Sequence, residues 1–176
     1  MAGGLNLYGY AGGDPINHHD PFGLTCEKIK GTTAPCELFG AIWAEASGAS
    51  GGTQSSMAHV IKNRVDGGWG ASYKDVIFQK NQFSFTRGTA GEARNMAAYR
   101  AAAAGEVKSA GFDEMVQRVE SVYSGAEDPT LGATFYYSPR SMGGRTPSWD
   151  FSKLIHTQKI HDEFNAYTCK DGKPKC

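Results

Sequence analysis

Apolar residues recur at helical spacing across the first half of the chain, and no other feature limits its fold as much. Leu38, Ile42 and Glu45 lie at positions i, i+4 and i+7, which places them on one face of a predicted helix that ends near Ser47. Thr53 is the expected N-cap of a second helix. The apolar stripe of that helix is predicted to consist of Met57, Val60, Ile61 and Val65. The sequence therefore predicts two consecutive amphipathic helices.

Four later segments complete the predicted secondary structure. Residues 91–104 are rich in alanine and favour a helix, and Asp113 is expected to cap the helix after it, with an apolar side made of Val116, Val119, Val122 and Tyr123. Residues 133–138 are aromatic and favour a strand. Residues 152–165 are predicted to form a last helix with the buried positions Leu154, Ile155, Ile160 and Phe164. We therefore predict a mainly α protein of the α+β type with one small β element.

The composition suits a globular domain without a membrane span. Hydrophobic residues make up 40% of the chain, but no stretch approaches the about 18 apolar residues of a membrane-spanning helix. The 18 Lys and Arg residues balance the 18 Asp and Glu residues. A net charge of zero argues against affinity that depends on nucleic-acid phosphates, although a nuclease with a local basic patch is still an alternative. A neutral or mixed polymer substrate fits this balance better.

The four cysteines fall into two local pairs on either side of the central region. An even number of cysteines in this arrangement suggests disulfides and an oxidising compartment, and we expect the pairs Cys26–Cys36 and Cys169–Cys176. Four reduced thiols, or a long-range bond that ties the two ends of the domain together, are the alternatives. A zinc site is less favoured because no CxxC spacing occurs.

Residues 1–24 differ from the rest of the chain and are rich in Gly, Asn, Asp and Tyr. Two Asp-Pro steps, at 14–15 and 20–21, favour turns and extended backbone over helix. The motifs NLYGY at 6–10, DPIN at 14–17 and DPFGL at 20–24 follow in an order that resembles the end of the core of Rhs-repeat proteins. In that family the last motif marks the junction with a variable toxin domain. The resemblance implies an extended Rhs-core tail at 1–24 and a toxin domain at 25–176.

The same resemblance implies a cleavage site. Rhs proteins are cut after the leucine of this motif by an internal aspartyl protease, which places the cut at the Leu24–Thr25 bond with Asp20 as one of the two acids. That chemistry needs two carboxylates that share a proton, and the partner aspartate belongs to an earlier copy of the motif. We therefore expect no self-cleavage by the present chain.

Glu45 is the first candidate for a catalytic residue. It lies at the C-terminal end of the first predicted helix, close to Trp43. Apolar surroundings disfavour the charged form of a carboxyl group, so a glutamate placed there is suited to donate a proton to a glycosidic oxygen. The alternative is an ordinary solvated glutamate near a helix end.

Six short blocks of sequence carry a second resemblance. They are AIWAEASG at 41–48, QSSMAHVIKNRV at 54–65, VIFQ at 76–79, QFSF at 82–85, GATFYYSP at 132–139 and PSW at 147–149. In this order they resemble the SleB-type cell-wall hydrolases, which are known from lysis of the spore cortex, over residues 38–165. The resemblance implies a lysozyme-like fold and cleavage of peptidoglycan as a lytic transglycosylase.

The SleB resemblance also implies which residues form the site. The family's catalytic glutamate falls on Glu45, and its substrate-binding blocks fall on Gln82, Phe83, Ser84, Tyr136 and Tyr137. Gln82 and Ser84 could instead cap a turn. Tyr136 could belong to the core, whereas Tyr137 could orient Glu45 or the sugar. No cofactor and no metal are expected, because the five histidines lack the spacing of metal ligands.

The chain departs from the SleB pattern at several positions. Ser47 stands where an arginine is common, and Ser55 and Ser56 replace small apolar residues. His59 and Lys62 are also unusual for the family. These departures bear on the details of the substrate more than on the reaction class.

The number of carboxylates separates two reaction types. A lytic transglycosylase needs one carboxylate, whereas the usual glycoside hydrolase needs a second acid nearby. No paired carboxylate is evident in the blocks around Glu45, which favours the transglycosylase. Asp75, Glu92 or Asp150 could still come close to Glu45 in the folded chain.

Together, the two resemblances imply an antibacterial effector toxin that cleaves peptidoglycan glycan strands in the periplasm of a target bacterium. The expected partners are those strands, a cognate immunity protein, the rest of the Rhs shell and a secretion machinery of the type VI kind. Neither nucleic-acid binding nor membrane insertion is expected. Two other classes stay open, a nuclease toxin tip and a non-enzymatic module that binds glycan or a delivery protein.

Overall fold

The computed structural model describes residue 26 and residues 28–79, 82–86 and 90–176, without the side chains of residues 90–92. The predicted tail at 1–24 lies outside the described residues, together with the junction motif and the Leu24–Thr25 bond. The division of the chain at that bond therefore stays a prediction.

The described part of the chain forms helices first and strands afterwards. The helices are α1 (Cys36–Ala46), α2 (Gly51–Asp66), α3 (Tyr73–Ile77), α4 (Ala90–Ala103) and α5 (Ala110–Tyr123). The strands are β1 (Phe135–Tyr137), β2 (Leu154–Ile160) and β3 (Phe164–Cys169), and short 3₁₀ turns occupy Ser84–Thr86 and Phe151–Lys153. This mainly helical α+β architecture is the predicted fold class, and it is consistent with a lysozyme-like fold.

The three strands form one antiparallel sheet in the order β1-β3-β2. Tyr136 of β1 pairs with Ala166 of β3, and Ile155 of β2 pairs with Thr168 of β3. The strand predicted at 133–138 is thus confirmed as β1. An irregularity in β2 between His156 and Gln158 shifts the register there by one residue, as a β-bulge does.

Residues 152–165 do not form the predicted helix, and that prediction was wrong. They form most of a hairpin, β2 and the start of β3, because β-branched side chains at Ile155, Thr157 and Ile160 favour strands over helix and β3 supplies the backbone partners. Leu154 and Phe164 are buried as expected. Ile155 is 46% exposed, and Ile160 is half-buried.

The predicted caps of two helices were also wrong. The N-caps are Ser50 for α2 and Ser109 for α5, and the serine side chains accept hydrogen bonds from the backbone N–H groups of Thr53 and Phe112. Both helices begin before the residues that were expected to cap them. Serine favours this position because its oxygen satisfies one of the unpaired N–H groups of the first turn.

Helix α1 is the centre of the core. It packs against α2, α3, α4 and α5, and its residues Leu38, Phe39 and Ile42 have no exposed surface. Gly40 allows α4 to come close, because a Cβ atom at this position would lie 2.8 Å from the ring of Tyr99. The packing on several sides fixes α1 in place, and with it the residues of its last turn.

Both predicted disulfides are confirmed. Cys26 is bonded to Cys36 at the start of α1, and Cys169 is bonded to Cys176 after β3. The described residues contain no free cysteine. The bonds therefore tie down the two ends of the described domain locally and do not join the ends to each other.

No helix within the described ranges is long and apolar enough to cross a membrane.

Candidate active site

Glu45 lies in the last turn of α1 and is half-buried. Its Oε1 atom accepts two hydrogen bonds from Ser84, one from the backbone N–H at 2.7 Å and one from the hydroxyl at 2.6 Å. Among the residues that the structure describes, Oε2 has no hydrogen-bond donor. Ser84 therefore holds one oxygen of the carboxyl group in place.

The pattern Phe83-Ser84-Phe85 explains why Ser84 points at Glu45. Phe83 is 1% exposed and Phe85 is fully buried, and their rings stack with centroids 5.6 Å apart. Phe85 also stacks on Tyr99 of α4 at 5.1 Å. The two apolar side chains anchor the 3₁₀ turn in the core, and the serine between them is turned towards the end of α1.

Asn95 of α4 is a third member of this cluster. Its Nδ2 atom donates a hydrogen bond to the hydroxyl oxygen of Ser84 at 2.6 Å. The blocks in the sequence do not include this residue, so sequence reasoning missed it. A signal was available, because asparagine is a poor helix former and stands within an alanine-rich helix.

The other residues of the QFS block have different surroundings. Phe83 is 1% exposed and supports the turn at Ser84, and its contact with glycan stays a prediction. Gln82 is half-buried, and its backbone N–H donates to the carbonyl of Gln79 at 3.2 Å. The backbone of Gln82 therefore closes a turn, and a contact of its side chain with glycan stays a prediction.

Tyr136 and Tyr137 lie on opposite faces of the sheet, because successive side chains of a strand alternate. Tyr136 stacks on the buried ring of Phe164 at 5.4 Å, and the guanidinium carbon of Arg64 lies 5.6 Å from the centre of its ring. Tyr136 thus belongs largely to the core side. Tyr137 stacks on Tyr167 at 6.1 Å. Among the described residues, Ser84 is the hydrogen-bond partner of Glu45, so an orienting contact from Tyr137 is not present.

Tyr137 belongs to an aromatic cluster on the outer face of the sheet. The ring of Trp149 lies edge-on to Tyr137 at 6.0 Å, and Tyr167 contacts Phe151 and His156. Burial and the hydrogen bond with Tyr137 raise the pKa of Tyr167 to about 12. The sequence prediction missed Tyr167 and His156 in this cluster because it treated part of the hairpin as a helix.

Asn63 and Arg64 anchor the segment that leads into β1. The Nδ2 atom of Asn63 donates to Asp128 at 2.9 Å, and the Nε atom of the buried Arg64 donates to the carbonyl of Thr134 at 2.7 Å. Burial alone would raise the pKa of Asp128, but hydrogen bonds from Thr130, Asn63 and the backbone hold it below its usual value. These contacts fix the position of the sheet relative to α2.

Of the candidate second acids, the carboxylate of Asp150 has partners of its own. Asp150 is exposed, accepts hydrogen bonds from Ser152 and lies 3.8 Å from the amino group of Lys153. Asp75 lies in the first turn of α3, where its backbone N–H donates to Ser72. Neither residue shares a hydrogen-bond partner with Glu45 in the described part of the chain, and the side chain of Glu92 lies outside it. No cluster of His, Cys, Asp and Glu within that part could hold a metal ion.

The departures from the SleB pattern lie mostly on α2. Ser55 and His59 line a cavity of about 380 Å³ between α2 and α5. Burial lowers the pKa of His59, and the carboxylate of Asp128, 3.6 Å from its Nδ1 atom, partly opposes this effect. Glu45 does not line this cavity.

The fold and the Glu45–Ser84 cluster can be compared with known proteins. A family model described as Cell Wall Hydrolase matches residues 48–164. The chain belongs to this family. The family consists of cell wall hydrolases, so the protein is classed with enzymes that degrade peptidoglycan. A comparison of the chain with curated proteins found no match, and a comparison with solved structures found none either. The matched region includes Ser84, Asn95 and β1 but begins just after Glu45, so the catalytic role of Glu45 stays a prediction.

Proposed function

We propose that the protein cleaves the glycan strands of peptidoglycan as a lytic transglycosylase, with Glu45 as both general acid and general base. One observation carries the proposal. Glu45 is held through one oxygen by the backbone and hydroxyl of Ser84, a residue of the region that matches the cell wall hydrolase family. A carboxyl group oriented in this way keeps its second oxygen available for proton transfer.

The proposed reaction uses this one carboxyl group twice. Protonated Glu45 first donates its proton to the glycosidic oxygen, and the bond from that oxygen to the anomeric carbon breaks. The carboxylate that results then removes the proton from the 6-hydroxyl of the same sugar, whose oxygen bonds to the anomeric carbon. The proton of Glu45 is thereby restored, and the product carries a 1,6-anhydro end.

The choice of transglycosylase over hydrolase rests on the surroundings of Glu45. A hydrolase requires a second carboxylate to activate water or to trap the sugar. The carboxylate of Asp150 accepts hydrogen bonds from Ser152, and among the described residues neither Asp150 nor Asp75 shares a hydrogen-bond partner with Glu45. The 6-hydroxyl of the substrate is then the nearest nucleophile, and its attack is favoured because it is intramolecular.

Mass spectrometry of digested peptidoglycan tests the proposal. Purified sacculi are incubated with the protein, and the released fragments are compared with those of a known hydrolase. We expect fragments that are one water lighter than hydrolysed ones. Reducing ends as the main product would contradict the transglycosylase mechanism and require a second acid, whereas an absence of released fragments would contradict glycan cleavage itself.

The proposed biological role is that of an antibacterial effector at the tip of an Rhs protein. The motifs at 6–24 support the Rhs context, and two disulfides suit a domain that works in an oxidising compartment such as the periplasm. The proposed partners are a cognate immunity protein, the rest of the Rhs shell and a secretion machinery. The proposed site of action is the periplasm of a target bacterium.

A further inference from the structure

We propose that Asn95 is a positioning residue, which orients Glu45 by fixing the direction of the Ser84 hydroxyl. The inference rests on the proposed role of Glu45 as the acid. It adds a residue from α4 to a site that the sequence places on α1 and in the turn at 84–86. It also explains why an asparagine occupies the alanine-rich helix.

The hydrogen bonds form a chain with one consistent direction. Asn95 donates from Nδ2 to the Ser84 hydroxyl oxygen at 2.6 Å, and that hydroxyl donates to Oε1 of Glu45 at 2.6 Å. A serine hydroxyl has one proton and two lone pairs. Because the amide of Asn95 occupies a lone pair, the proton of the hydroxyl is free to point at Glu45.

The effect of Asn95 goes beyond the contact itself. Without a donor at this position, the Ser84 hydroxyl could rotate about its C–O bond and lose its alignment with Oε1. Hydrogen bonds in a chain also polarise one another, so the amide of Asn95 strengthens the bond from Ser84 to Glu45. The backbone N–H of Ser84 donates to the same oxygen at 2.7 Å, which leaves part of the orientation intact when Asn95 is replaced.

The packing of α1 against α4 sets the geometry in advance. A Cβ atom on Gly40 of α1 would lie 2.8 Å from the ring of Tyr99, one turn after Asn95 on α4. The same ring stacks on Phe85, next to Ser84 in the 3₁₀ turn. The three elements that carry Asn95, Ser84 and Glu45 are thus held together by the core.

This arrangement predicts an effect on the chemical step and not on binding. During the proposed cycle Glu45 loses and regains a proton at Oε2, while Oε1 stays bound to Ser84. Replacement of Asn95 leaves the carboxyl group in place but less well oriented. The expected result is a lower kcat with an unchanged KM.

A double-mutant cycle tests the proposal on soluble glycan strands. The four proteins are wild type, Asn95→Ala, Ser84→Ala and the double variant, with Arg94→Ala as the control because Arg94 is exposed on the same helix. We expect Asn95→Ala to lower kcat about 3- to 10-fold, and to cause no further loss in the Ser84→Ala background. Additive losses, an effect on KM alone or unchanged kinetics would overturn the proposal.

A second substitution separates hydrogen bonding from packing. Asn95→Asp keeps the size of the side chain, but its carboxylate accepts the proton of the Ser84 hydroxyl and draws it away from Glu45. We expect a larger loss of kcat than with Asn95→Ala, at a melting temperature close to that of the wild type. This variant also decides the matter if Asn95→Ala does not fold, since wild-type kcat in the Asn95→Asp variant would overturn the proposal.

The test distinguishes the positioning role from the proposed function. If Glu45→Gln is inactive and the Asn95 variants retain wild-type kcat, the positioning role is wrong and the function stands. If a folded Glu45→Gln variant is fully active, the proposed function fails and the role of Asn95 fails with it.

Discussion

Glu163, in the turn between β2 and β3, accepts two hydrogen bonds from Ser50, the N-cap of α2. The Oε2 atom of Glu163 lies 2.8 Å from the hydroxyl and 3.2 Å from the backbone nitrogen of Ser50, and Thr53 donates to the same atom at 2.8 Å. The hairpin is thus attached to the short connection between α1 and α2, which begins next to Glu45. This contact couples the sheet to the helical part of the domain.

The contact of Glu163 predicts a specific dependence of stability on pH. Hydrogen bonds from Ser50 and Thr53 hold the pKa of Glu163 below its usual value of 4.5. A carboxylate with a lowered pKa in the folded state contributes stability above its unfolded pKa, and this contribution is lost as the pH falls through the folded value. Its contribution is therefore expected to be fully present at pH 7 and to decrease as the pH falls below 4.5.

Glu163→Gln isolates this contribution from the other titrating groups. Protonated glutamate and glutamine are similar in shape and charge, so we expect the variant to melt below the wild type at pH 7 and by a smaller difference at pH 3. Thermal unfolding at the two pH values measures this. An equal difference in Tm at both values would show that the charge of Glu163 is not involved.

The two disulfides are expected to contribute similarly to stability. They span sequence separations of 10 and 7 residues, and loops of this size are worth about 2–3 kcal/mol each in the chain-entropy account. Replacing either pair, Cys26 with Cys36 or Cys169 with Cys176, by alanines should lower the free energy of unfolding by about that amount. Denaturant titration of the two double variants provides the measurement, with each variant as the control for the other. Four free thiols in protein purified without reductant would contradict the pairing.

Much of the helical part could be predicted because its apolar spacing is regular. The stripe that includes Leu38 and Ile42 and the alanine-rich stretch at 91–104 each correspond to an observed helix. The starts of helices were less predictable. Gly51 and Gly52 weaken the helical signal at the start of α2, so the sequence predicted the cap at Thr53 and not at Ser50. The hairpin at 154–169 was missed because part of it was treated as a helix, whereas β2 pairs with β3, and β3 in turn pairs with β1, which is distant in the sequence.

The candidate site could be predicted only where a motif marks it. Glu45 and Ser84 occur in recognisable blocks, and the structure brings them together. Asn95 lies outside the blocks, and its contact with Ser84 depends on how α4 packs against α1. Tyr136 and Tyr137 were both predicted to bind substrate, with a core position as the alternative for Tyr136, and the alternation of a strand places the two side chains on opposite faces of the sheet.

Toxicity should depend on the compartment in which the domain is produced. Peptidoglycan lies outside the inner membrane, so we expect the domain to inhibit a bacterial host when it is exported to the periplasm and much less when it stays in the cytosol. Because the two disulfides need oxidising conditions, the comparison is best made in a strain with an oxidising cytosol. Growth curves give the readout. Equal or greater toxicity from the cytosol would favour the nuclease alternative.

Glu45→Gln should abolish lysis while the fold stays intact. The substitution is nearly isosteric, and the amide oxygen of glutamine can still accept the hydrogen bonds from Ser84. The amide has no acidic proton, and loss of general acid catalysis costs about 10²–10⁴-fold in rate.

Glu37→Gln is the matched control, because Glu37 is a half-buried glutamate in the first turn of the same helix. The turbidity of a peptidoglycan suspension and the melting temperature are measured for both variants. We expect both variants to fold, and we expect only Glu37→Gln to lyse the peptidoglycan. Near wild-type lysis by a folded Glu45→Gln variant would remove Glu45 from the mechanism.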